Sequence, residues 1–323
     1  MSHFDFGFGP VPAHRHSHGG GWVANTAYVS DTAFVGINAR IFDNARIFGN
    51  AQVCGNARIR GNTLVCGNAR IFDNSRVFGD ALIRGNALVY GNALIRGNAQ
   101  VCGNAQVCGN ARIFDDAQVF DNALIRGDAQ VFGNARVSGD AQVSGNAVIR
   151  GNSRVFDNAR VFGDALVFGN SQVCGNAQVS DDTCVSGDAQ VSDDTWVYDN
   201  AQICGNAQVF GNARIRDNAL VFGNAVIFDN ARIFDNARIF GNALIRGDAR
   251  VFDNARICGN AQVFDTALIR GNALVCGNAV IFDDARIFDD AQVFDNARIC
   301  GNAQVCGDAQ VFDNAQVCDI PVS

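Results

Sequence analysis

The sequence has no lysine and no glutamate: all 25 basic residues are arginine and all 32 acidic residues aspartate, with a net charge of −7. Both missing residues are strong helix formers, so the composition points away from helix and toward strands joined by acidic turns. Histidine is confined to positions 3, 14, 16 and 18. No apolar run approaches the ~20 residues needed to cross a bilayer as a helix. The first residues also lack the basic and hydrophobic regions of a secretory signal, so the default expectation is a cytoplasmic protein. Without that signal, the 12 cysteines read as free thiols more readily than as a disulfide framework.

What the sequence has in abundance is one period. Val or Ile recurs at every sixth position from Val23 to Val317, fifty times without slip. Two positions before each stands a small residue, nearly always Ala, with Thr63, Ser75, Ser153, Ser171, Thr183 and Thr195 among the few substitutes. Residues two apart on an extended strand share a face, so these two columns point inward together. The Gly or Asp and then Asn or Asp that follow accept the left-handed backbone angles of a corner. One such hexad cannot bury its apolar side alone, but stacked coils can enclose a continuous core.

The run Ile233, Phe234, Asp235, Asn236, Ala237, Arg238 resembles the hexapeptide-repeat family, and the likeness covers most of the chain. That resemblance implies an all-β fold: a single three-sided left-handed parallel β-helix with eighteen residues per coil, and the unbroken period leaves no room for inserted loops. Fifty hexads at three per coil make 16 to 17 coils, roughly 80 Å if the strands stack at the usual spacing. The family's best-known members are acyltransferases and carbonic anhydrases, which use His and usually projecting loops. Here no His lies within the repeats, so the resemblance carries the scaffold without the site, and no enzyme activity is expected.

The organisation expected is a leader or cap over residues 1–20, a solenoid over 21–318 and a short tail over 319–323, with Pro321 as a stop signal. Phe4, Phe6 and Phe8 alternate as on a strand and could fold over the open first coil near Trp22. His14, His16 and His18 also alternate, and three imidazoles on one side of an extended segment would suit a transition metal. The repeat is irregular over residues 180–198, where Thr183, Cys184, Thr195 and Trp196 gather.

Residues eighteen apart should stack, which turns the sequence into columns. Phe222 over Phe240 and Phe294 over Phe312 form apolar pairs, and no Phe column runs longer than two coils. Asp181, Asp199, Asp217, Asp235 and Asp253 occupy one corner in five consecutive coils. Stacked carboxylates repel, so the column should pair with the neighbouring Arg214, Arg232 and Arg250 or gather cations such as Ca²⁺. Cys258 over Cys276 and Cys300 over Cys318 are adjacent thiols, at a spacing slightly wide for a disulfide. Adjacent basic and acidic columns disfavour nucleic acid, which wants a net positive stripe. The function expected is a self-assembling structural solenoid, similar in behaviour to bactofilin-type polymer formers, that forms filaments or a scaffold by packing end to end and laterally. The residues expected at its contacts are Phe4, Phe6, Phe8, Trp22, Phe222, Phe240, Phe294, Phe312, Val317 and Ile320. The alternatives are a degenerate acyltransferase-like protein and a soluble ligand-binding rod.

Overall fold

A computed structural model describes residues 2–322. They are all-β, and no described helix is long and apolar enough to cross a membrane. The chain divides into two compact units, Met1–Gly163 and Asp164–Ser323.

In both units the strand core of each hexad is two residues long, the Val or Ile and the residue before it, and it pairs in parallel with the strand eighteen residues on. In the first unit Leu64 and Val65 lie in register with Leu82 and Ile83. In the second, Leu244 and Ile245 lie in register with Gln262 and Val263. The strands are short because the corner begins at once. Its first residue is Gly or Asp with positive φ, for example Gly223 at 77° and Asp235 at 57°, angles that cost other residues energy.

The backbone donors of each hexad are almost all used. Leu220 and Phe222 donate to Ala237 and Ile239 one coil on, and the corner Asn224 donates to Gly241. Ala237 closes its own corner on the Phe234 carbonyl. Few backbone groups therefore need water.

The inward Val, Ile and Ala columns are fully buried along the interior rungs of both units, whereas at the end rungs Ala27 and Val29 are half-buried and Ala315 is exposed. Where Ser or Thr replaces Ala it is buried too, and its hydroxyl donates to the carbonyl three residues earlier: Ser171 to Phe168 at 2.8 Å, Thr195 to Ser192 at 2.6 Å. A buried hydroxyl with such a bond costs little.

Outside the corners runs a second ladder. Asn206, Asn224, Asn242 and Asn260 each pass Nδ2 to the Oδ1 of the Asn one coil on, at 2.9 Å. An Asp in this column accepts but cannot donate, so Asp128 and Asp188 receive Asn110 and Asn170 and end their runs.

The first unit opens with an antiparallel hairpin of β1 (His3–Asp5) and β2 (Pro10–Arg15). β2 in turn pairs antiparallel with β3 (Trp22–Ala24), the first rung of one side. The hairpin thus lengthens one sheet at its edge and does not lie across the open coil, and its aromatics pack on the outer wall. Phe6 is buried and stacks on Phe42 at 4.9 Å, while Phe4 stacks on Trp22 at 4.4 Å. Arg15 pins the turn from above the Trp22 ring and donates to the carbonyls of Gly20 and Ile37.

In the second unit Pro321 does not stop the ladder. Pro321–Val322 forms one more rung against Gln304–Val305, with Gln304 donating to the Ile320 carbonyl. Proline is tolerated there because an edge strand needs no donor on its outer side.

Candidate functional site

The three histidines of the leader do not converge. β2 ends at Arg15 and the chain turns over residues 17–19, with positive φ at Gly19 and Gly20, so the alternation that would align the rings is broken. His14 meets Asn25 Oδ1 at 3.0 Å, and His16 is buried with Nδ1 at the His18 backbone. The His18 ring stands edge-on to Phe34, with Nδ1 3.2 Å from the Ala33 carbonyl.

Asp181, Asp199, Asp217, Asp235 and Asp253 stack as the period requires, but their carboxylates face the backbone. Each accepts from the N–H of the corner residue one coil on, at 3.3–3.4 Å within the column. The last, Asp253, accepts from Gly271 at 3.0 Å. The expected pairing with Arg214, Arg232 and Arg250 does not form. Arg216 Nε instead lies 3.3 Å from Asp217 Oδ2. Nε there has no aligned hydrogen bond, so the contact is electrostatic. Arg214, Arg232 and Arg250 are in register with one another. Among the described residues no three His, Cys or Asp side chains come together in an arrangement that could hold a metal ion.

The apolar columns stack as expected where two rings meet. Phe222 lies 5.1 Å from Phe240 and Phe294 lies 5.7 Å from Phe312, nearly parallel in both pairs. Arginine joins these columns from the coil before more often than from its own strand: Arg216 covers Phe234 at 4.3 Å and Arg246 covers Phe264 at 4.5 Å. Cys258 and Cys276, and Cys300 and Cys318, are bonded as disulfides across Cα separations of 4.5 and 4.6 Å. The side chains lean together along the column, which the in-register spacing alone seemed to forbid. Cys54, Cys66, Cys102, Cys108, Cys204 and Cys306 are free thiols. Burial raises the pKa of the Cys54, Cys66 and Cys204 thiols from the usual value, with Cys184 adding to the shift at Cys204.

The clearest concave feature lies in the first unit, between the hairpin and the outer wall. Arg40, Arg58 and Arg76 stack in register, and beside them runs the column Phe42, Arg60, Phe78. The Arg60 guanidinium lies 4.9 Å from the Phe78 ring and 5.2 Å from that of Phe8, the exposed hairpin residue. Phe8 lines two cavities there, one of about 720 Å³ and one of about 200 Å³. Eighteen-residue columns drawn through the first coils do show the Arg stack, but not that a hairpin folds over it.

Six segments, residues 51–67, 105–119, 129–144, 159–175, 201–216 and 291–307, match the YdcK beta solenoid repeat. No curated protein matches the chain. Among solved structures, a protein from Desulfovibrio desulfuricans G20, named provisionally as an acetyltransferase, aligns at 12% identity and a TM-score of 0.19. The alignment covers 86% of this chain and 63% of that one, so this chain spans less than two thirds of that protein's length. The unbroken period, the buried inward columns and the parallel register show a β-solenoid built of six-residue repeats, similar over six segments to the YdcK beta solenoid repeat.

Proposed function

We propose that this protein is a structural scaffold that is not catalytic and associates with itself through strand edges of its second unit. One observation carries the reading. Gln310–Val311 and Gln316–Cys318 pair on one edge only among the described residues. The inward column is also uncovered there: Ala315 is exposed, whereas the Ala of interior rungs are fully buried. Unpaired N–H and C=O groups beside exposed apolar atoms invite a further strand, and Phe312 (46% exposed) and Ile320 (55%) lie alongside.

The hairpin limits the geometry. In the first unit β2 covers the edge of Trp22–Ala24. The backbone at residues 18–21 covers that of Phe34–Val35, with Gly21 donating to Val35 and Val35 to His18. Tyr28–Val29 remains open on that edge among the described residues. Two second-unit edges facing each other would pair antiparallel about a two-fold axis and close as a dimer. Lateral packing through the Phe columns would build larger assemblies from such dimers.

Analytical ultracentrifugation with negative-stain electron microscopy tests this. Dimers or ordered assemblies are expected. The double variant Gln310→Pro, Gln316→Pro, which removes outward donors, should return the protein to monomer with an unchanged circular dichroism spectrum. A wild-type protein that stays monomeric at every concentration would refute the reading.

A further inference from the structure

The hairpin cavities are not used by the scaffold reading, and their chemistry is asymmetric. The larger is lined by Phe6, Phe8, Val11, Pro12 and Phe42 and also by Asp43, whose carboxylate accepts from the Gly61 N–H. The smaller is lined by Phe8, Phe42, Phe78 and three guanidiniums, Arg58, Arg60 and Arg76. Phe8, Phe42 and Arg60 line both, so the two spaces adjoin.

None of these three arginines forms an ion pair with a described carboxylate. Stacked like charges without counter-charge are unfavourable. Partial burial, and then the charges of Arg40 and Arg76, lower the pKa of Arg58 from its ordinary value. A ligand that brings negative charge relieves this, and guanidiniums bind carboxylates and phosphates in fork geometry. Asp43 repels an anion from the larger space, while its aromatic walls favour a flat apolar group. About 720 Å³ is within the usual range of small-molecule sites.

We propose that the adjoining cavities form one binding site for a small organic anion carrying a planar aromatic ring. The ring lies among Phe6, Phe8 and Phe42, and the anionic group faces Arg58, Arg60 and Arg76. Phe8, left 76% exposed, closes over the ring when the site fills.

Isothermal titration calorimetry at low salt with phenyl phosphate, inorganic phosphate and phenol as probes tests the assignment. Phenyl phosphate should bind about tenfold or more tighter than either fragment, and Arg60→Gln and Arg58→Gln should each weaken it about tenfold, the loss expected for one charge-assisted contact. Phe8→Ser should weaken phenyl phosphate and leave inorganic phosphate unchanged. Arg136→Gln, outside the cavity, serves as the control. Absence of phenyl phosphate binding would overturn the proposal. So would phenyl phosphate binding no tighter than phosphate alone, because the arginines would then be a simple anion patch. If Arg60→Gln does not fold, Arg58→Gln decides, since the Arg58 side chain is exposed; unchanged affinity in that variant refutes the site.

Discussion

Replacing Val143 by Asp tests the inward columns most directly. Val143 is fully buried and lies in register between Ile125 and Val161. Val143→Ala removes two carbons, a loss of about 1.6 kcal/mol from transfer alone, with a cavity contribution on top. Val143→Asp loses similar apolar burial and adds a carboxyl group in a wall of Val, Ile and Ala, about 2 kcal/mol or more beyond the Ala variant even when protonated. The expected total is about 4 kcal/mol or more. Ala141→Ser, just before the same strand and equally buried, should cost less than about 1 kcal/mol, because the Ser138 carbonyl is in reach of its hydroxyl. Ser75 and Ser153 already make that bond, to Phe72 and Arg150 at 2.7 and 2.8 Å. Repeat arrays unfold rung by rung, so guanidinium titration should be paired with hydrogen exchange read over residues 124–161. Equal denaturant midpoints and equal protection for Val143→Asp and Val143→Ala would refute the inward assignment.

Gly205→Ala should destabilise the second unit by about 1–2 kcal/mol, because φ is 72° there and an added Cβ would lie 2.9 Å from the Gly223 carbonyl oxygen. Gly205→Asp should cost less, since a corner carboxylate can accept from the next coil as Asp229 does from Gly247 at 3.1 Å; equal midpoints for the two variants would contradict this. The Gly7, Gly9 and Phe8 backbone donors, with a smaller contribution from Arg40, lower the Asp5 pKa below its ordinary 3.8. The turn is therefore supported above about pH 3.8 and loses that support as pH falls through the lower folded value, so the Gly7 and Gly9 amide resonances should titrate with a midpoint below 3.8. Alkylation of the unreduced, unfolded protein should leave Cys258, Cys276, Cys300 and Cys318 unlabelled, and in the folded protein near pH 8 Cys54, Cys66 and Cys204 should react more slowly than an ordinary thiol, because their raised pKa values leave less thiolate. Twelve labelled positions without reductant would exclude both disulfides.

The inward residues were legible because Val or Ile at every sixth position admits one assignment of faces, and the Thr and Ser substitutes followed the same rule. The aspartate corners were legible as turns. Their role was not, because the short Asp side chain reaches the next backbone N–H more readily than the neighbouring Arg. The Asn ladder was overlooked for a related reason: a turn residue identifies the corner but not what its amide does across eighteen residues.

The leader shows the same division more sharply. Alternation of Phe4, Phe6 and Phe8 and of His14, His16 and His18 is visible in the sequence, and it suggests one extended segment. Gly7 and Gly9 bend the first series, and the turn at residues 17–19 separates the second. One ring set then packs on Trp22 and Phe42 while the imidazoles go three separate ways.

By itself the sequence determined the period and which residues face inward, because these follow from local geometry repeated without interruption, while the eighteen-residue parallel register came with the family resemblance. Tertiary structure alone decided where the hairpin docks, that Pro321 adds a rung, and that Arg58, Arg60 and Arg76 share a cavity wall with Phe8. Those outcomes depend on contacts between segments that no local pattern encodes.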